Sequence, residues 1–117
     1  MNKIRLGVAG SAVAALSLLP VASAQAATYY GAIAVAGSGA MGWAQNYPSE
    51  GAAMVAARNR CGYSDCQVLT TFYHCGAISY SPSANEYTGG RGNTVSEAES
   101  SSQWYWDSSV ERWVCNS

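Results

Sequence analysis

Residues 29–35, YYGAIAV, and residues 74–80, HCGAISY, share one tripeptide: Gly31-Ala32-Ile33 in the first and Gly76-Ala77-Ile78 in the second. Laying the chain over itself at these two points brings further signals into the same order. Each Gly-Ala-Ile leads into a turn rich in Gly, Ser, Pro or Asn, then a short Gly-bearing strand. Each copy then reaches Ser-Glu (Ser49-Glu50 and Ser96-Glu97) and finishes on a β-prone run. Matched signals at a spacing of about 45 residues mark an internal duplication, roughly 29–73 and 74–117, with too few copies for a solenoid.

The local chemistry gives each signal a structure. Tyr29 to Val35 and Met41 to Gln45 flank AGSGA, a Gly-rich connection of the kind that closes a hairpin. Pro48 and Ser49 supply a helix start, with Ser49 as N-cap and Glu50 favourable at the positive end of the helix dipole. Ala52, Ala53, Ala56 and Ala57 recur at helical spacing, so one face of that helix has little more than methyl groups and can lie close to a sheet. Gly62 is placed to end it in a left-handed cap.

QVLTTFYHCGAISY is rich in β-branched and aromatic residues, but fourteen residues is long for one strand. A bend is expected around Cys75-Gly76. In the second copy Ser96-x-x-Glu99 has the spacing of a capping box, although the serines at 100–102 make a poor helix interior. VERWVC closes the chain as a last strand. The order is β-β-α-β twice, which predicts an α+β fold: two short helices on one small antiparallel sheet.

Outward from this core, the first 26 residues have the order of a secretory signal peptide. Lys3 and Arg5 precede an apolar run, followed by Pro20 and Ala22-Ser23-Ala24. Cleavage is expected to leave one secreted domain, 27–117, with no membrane anchor. Four arginines then stand against seven acids, a net charge of −3 with no lysine. That balance speaks against nucleic acid or an anionic membrane as partner.

About ninety residues make a thin core, so staples matter. Cys61, Cys66, Cys75 and Cys115 all lie in this part, and an exported chain meets an oxidising compartment. Three pairings are possible. Cys61–Cys66 across a helix end, leaving Cys75–Cys115 between two strands, is the preferred one.

Tyr30-Gly31-Ala32-Ile33-Ala34-Val35, Gly42-Trp43, Asn46-Tyr47-Pro48, the alanine-rich helix, Cys61-Gly62 with Asp65-Cys66, and Cys75-Gly76-Ala77-Ile78 together resemble the bacterial exported family catalogued as domain of unknown function 4189. The resemblance implies a secreted or envelope location, and it carries no catalytic residues with it.

Candidate chemistry is sparse. A zinc site from Cys61, Cys66, His74 and Cys75 would need neighbours on a strand to converge on one ion, whereas they point to opposite faces. His74, the only histidine, is the one obvious base near neutral pH, but a lone His in a strand is more often structural. Asp65, Asp107, Glu97, Glu99 and Glu111 are available for glycan cleavage, yet acids at a helix start ordinarily serve the dipole. No serine-nucleophile elbow occurs, and no cofactor or metal is expected. GGRGN at 89–93 offers backbone NH groups and Arg91 to an anion.

The aromatic residues are more telling. Trp43 and Trp113 are the expected core tryptophans. Trp104-Tyr105-Trp106 cannot all face inward from one element, so at least one is expected on the surface. The sequence therefore predicts a secreted, monomeric binding domain that contacts a protein or an envelope glycan through Trp104, Tyr105, Trp106 and Arg91. The alternatives are a small envelope-acting hydrolase or an inhibitor of one.

Overall fold

The computed structural model describes residues 28–117, and the expected signal peptide lies outside the described residues. The elements are β1 (Tyr30–Val35), β2 (Met41–Tyr47), α1 (Glu50–Cys61), β3 (Gln67–Phe72), β4 (Cys75–Ser81), β5 (Glu86–Gly92), α2 (Val95–Ser102) and β6 (Ser109–Cys115). This is β-β-α-β followed by β-β-α-β.

The single sheet expected from sequence is instead two antiparallel sheets of three strands, ordered β2-β1-β3 and β5-β4-β6. In each copy the Gly-Ala-Ile strand is central, with its own hairpin partner on one side and its own last strand on the other. Both edges of β1 and β4 are thereby used within one copy. The copies must meet through side chains rather than through a shared ladder.

The period-2 alternation of β1 directs that meeting. Ala32 and Ala34 face α1 together with Ala44, Ala53 and Ala57, a cluster of buried methyl groups. Ile33 and Val35 point the other way and join Phe72, Ile78 and Val114 in a separate core. Ala77 likewise faces α2, beside Ala98 and Cys75. The layers are helix, sheet, sheet, helix, with the larger side chains between the sheets.

Phe72 explains why the repeated tripeptide begins with glycine. The ring is 1% exposed, and a methyl group added at either Gly31 or Gly76 would collide with it. Equivalent glycines of the two copies thus close on one phenylalanine, whose burial contributes about 1.5–3 kcal/mol.

The first helix forms as read. Ser49 Oγ accepts from Ala52 N at 3.1 Å, and Gly62, at φ 86°, donates its N–H to the Arg58 carbonyl at 3.2 Å. The N-cap of the second, Thr94, lies two residues before the expected Ser96. Its capping pair is Thr94 and Glu97: Thr94 Oγ1 accepts from Glu97 N at 3.1 Å and Glu97 Oε1 accepts from Asn93 N at 2.8 Å. The tight fold-back of the first helical turn onto Gly92, where a Cβ would strike Glu97 and Ala98, sets that earlier start.

The serines of α2 also acquire a reason. Ser102 and Ser79, both fully buried, share a 2.6 Å hydrogen bond, and Thr88 Oγ1 donates to the Ser102 carbonyl at 2.6 Å. Buried hydroxyls that are paired in this way hold helix to sheet without a desolvation loss. In the first copy methyl groups occupy this layer.

The break in the long β run falls at Tyr73-His74, just before the expected Cys75-Gly76, because the chain crosses there from one sheet to the other. Both preferred disulfides are formed: Cys61–Cys66 with Cα atoms 6.3 Å apart, and Cys75–Cys115 with Cα atoms 4.0 Å apart. Cys75 and Cys115 are direct register partners on β4 and β6. Asn116 just beyond donates from its backbone to the His74 carbonyl at 2.8 Å and from Nδ2 to the Tyr73 carbonyl at 2.6 Å, tying the chain end to the crossing.

Candidate functional site

Between α2 and β6 the chain makes a tight turn at 103–108, and Trp104-Tyr105-Trp106 sits on it. Trp104 is 62% exposed and Trp106 90%. These are among the most exposed large apolar side chains of the described residues.

The turn is nevertheless well held. Tyr105 N donates to Ser108 Oγ at 3.0 Å, Ser108 N to the Tyr105 carbonyl at 3.1 Å, and Trp104 Nε1 to the Ser101 carbonyl at 3.1 Å. Two longer-range anchors dock it onto the β4–β5 hairpin. Tyr105 donates its hydroxyl to Glu86 Oε1 at 2.6 Å. Asp107 accepts from Ser81 Oγ at 2.5 Å, and from the Ser83 backbone and hydroxyl at 2.8 and 3.0 Å.

Both anchors shift the ionisation of the groups involved. The bond from the Tyr105 hydroxyl to Glu86 holds the phenol above its usual range, with desolvation and the carboxylate charge acting in the same direction. The Ser81 hydroxyl, joined by the Ser83 donors, holds Asp107 below the usual carboxylate range and outweighs desolvation. Nothing in the local pattern around 103–108 pointed to Glu86 or Ser81, which lie some twenty residues earlier in the chain.

The Arg91 side chain is directed to β3 and not to the turn. GGRG is strand rather than loop, lying within β5, and Arg91 donates Nη1 to the Thr71 carbonyl of β3 at 3.2 Å. Its glycines serve packing instead: a Cβ at Gly90 would strike the backbone at Ser101-Ser102, and one at Gly89 the Leu69 carbonyl. Glu86, which holds Tyr105, starts the strand, and Arg91 lies five residues further on, about 17 Å at strand rise. The Arg91 backbone N donates to Ser101 Oγ at 3.4 Å, the residue whose carbonyl holds Trp104 Nε1, while its guanidinium is turned to β3.

Trp113 also departs from expectation, being 50% exposed. It stands opposite Ala77 on edge strand β6, which pairs only with β4. Trp43 does pack against the core between the sheets, with the Arg112 guanidinium 4.1 Å above its ring.

The cysteines of the considered zinc site are consumed by disulfides. His74 is exposed in the β3–β4 crossing, where its carbonyl takes the bond from Asn116. Of the acids weighed for glycan cleavage, Asp65 accepts from Gly37 N at 2.9 Å, Glu97 caps α2 and Asp107 braces a turn. Each of these three has a structural partner. Among the described residues no cluster of His, Cys, Asp and Glu is arranged to hold a metal, and no helix is long and apolar enough to cross a membrane.

Known relatives match across nearly the whole described region. Protein Rv1269c of Mycobacterium tuberculosis is 42% identical over 94 residues, covering 80% of this chain and 74% of the relative. Uncharacterized protein Rv1813c of the same species is 36% identical over 116 residues, covering 91% of this chain and 69% of the relative. The NMR structure of Rv1813c from Mycobacterium tuberculosis shares the fold at a TM-score of 0.64, with 35% identity over 76% of each chain. The model of the family described as "Domain of unknown function (DUF4189)" matches residues 30–114, and the chain belongs to that family.

Proposed function

We propose that this chain is an exported, non-enzymatic binding domain whose Trp104–Trp106 turn contacts a protein or glycan of the cell envelope or the extracellular space. The observation that carries the reading is an ordered turn, anchored at Glu86 and Ser81, that holds two tryptophans 62% and 90% exposed. Tryptophan and tyrosine recur as binding hot spots because they bury a large area while losing few rotamers. The anchors remove most of the remaining ordering cost before any partner arrives. Two disulfides in a domain of this size suit an oxidising compartment, in keeping with the signal peptide expected from the sequence.

The test is capture from envelope and culture-medium fractions with the oxidised protein, beside a Trp104→Ala/Trp106→Ala variant. A partner whose affinity falls at least about tenfold in the variant, with melting unchanged, supports the reading. Partners that bind the variant as well as the parent overturn it.

A further inference from the structure

The two sheets are closed at one end by Phe72 between Gly31 and Gly76. At the other end the gap between them opens into a cleft of about 740 Å³, within the usual size of ligand sites. Val35 and Leu69 give it a small apolar floor. The wall carries Tyr80 and Tyr87, register partners whose ring centroids are 4.7 Å apart. The rim carries four planar polar side chains: Asp65 and Gln67 from the first copy, Asn85 and Glu86 from the second.

Three of these side chains are oriented by one hydrogen bond each, made with one end of the group. Asp65 Oδ2 is held by Gly37 N at 2.9 Å, Asn85 Oδ1 by the Tyr80 hydroxyl at 2.7 Å, and Glu86 Oε1 by the Tyr105 hydroxyl at 2.6 Å. The second carboxylate oxygen of Asp65 and of Glu86 keeps its acceptor capacity, and Asn85 Nδ2 keeps its donors. Gln67 adds a donor and an acceptor. Fixed planar groups of both kinds, beside aromatic faces, match vicinal hydroxyls, each of which donates and accepts.

Other ligand classes fit less well. No arginine lines the cleft, and two carboxylates do, so an anionic ligand would meet like charge without a counter-ion. An ammonium group could use the carboxylates but would leave the donors of Asn85 and Gln67 without partners. The small floor offers too little apolar area for a lipid chain.

We propose that this inter-sheet cleft is a binding site for a neutral, polyhydroxylated ligand, a short stretch of glycan, with Gln67, Asn85, Asp65 and Glu86 as its hydrogen-bonding groups and Tyr80 and Tyr87 as its stacking faces. The cleft adjoins the aromatic turn at Glu86, which Tyr105 holds, but its binding does not depend on Trp104 or Trp106 contacting anything.

Amide shifts of the isotope-labelled, oxidised protein test this during titration with cellotetraose, chitotetraose, mannotetraose and, as the cationic control, spermidine. Saturable shifts at Gly37, Asn85, Glu86 and Tyr87 with at least one tetrasaccharide are expected. Gln67→Ala with Asn85→Gly, the glycine chosen because Asn85 has φ 53°, is expected to weaken that binding about tenfold or more, while the loss of the exposed Tyr80–Asn85 hydrogen bond lowers the melting point by no more than a few degrees and leaves the protein folded. Trp104→Ala/Trp106→Ala should leave it unchanged, so failure here and failure of the turn are told apart. The proposal is overturned by no shifts at about 10 mM of any sugar, by shifts confined to 103–108, or by tighter binding of spermidine.

Discussion

Replacing both cysteines of one bridge by alanine should destabilise this domain by an amount set by the chain segment that the bridge closes. Cys75–Cys115 spans 40 residues and Cys61–Cys66 only 5. Chain-entropy scaling makes the long bridge worth about 4 kcal/mol and the short one about 2 kcal/mol. Cys61, Cys66 and Cys75 are each at most 7% exposed and Cys115 is half-buried, so the long-bridge pair loses no more sulfur packing than the short one, and the excess cost of up to about 2 kcal/mol comes from the loop term. At about 4–8 °C per kcal/mol for a domain of this size, Cys75→Ala/Cys115→Ala should melt below Cys61→Ala/Cys66→Ala, by up to about 8–16 °C. Thermal unfolding followed by circular dichroism under oxidising conditions reads this directly. Coincident melting, or a lower midpoint for the short-bridge variant, would refute the assignment of Cys75–Cys115 as the main constraint on the unfolded chain.

Gly31→Ala and Gly76→Ala should each cost about 1–3 kcal/mol by overpacking against Phe72, while Phe72→Ala alone should cost about 3–5 kcal/mol. Either glycine change made in the Phe72→Ala background should cost much less than in the parent, and a urea-unfolding double-mutant cycle that shows plain additivity would disprove the shared contact. Asp107 is depressed in the folded state, so its stabilisation is complete above the unfolded carboxylate value near about pH 4 and is lost as pH falls through the lower folded value. Asp107→Asn should therefore melt below the parent at neutral pH, with the two curves converging in acid; a gap that persists to the lowest pH would mean that the charge plays no part.

The outline of the fold is legible in the chain because it rests on local signals. Gly-Ala-Ile recurs, Ser49 and Gly62 bracket an alanine-rich helix, and the cysteines flank elements that short-range chemistry already defines. The preferred disulfide pairing follows from the same order, since Cys61 and Cys66 are neighbours in sequence. The exposed aromatic turn is legible as well, because three consecutive bulky residues cannot share one face.

What the tertiary structure decided was how the two copies meet. Whether six strands form one sheet or two depends on which strands pair with β1 and β4, and pairing at a distance in sequence settles that. The same holds for the glycines at 89, 90 and 92, whose pattern suggests an anion loop until the backbone of α2 and β3 is placed against them. Trp113 is half-exposed because it stands on edge strand β6, which has a neighbour on one side only. Glu86 and Ser81 become anchors of the aromatic turn only once the β4–β5 hairpin lies beside it. Local propensity and period thus determined the elements and their order, and the steric fit between elements far apart in sequence determined the layers, the cleft and the surface that faces outward.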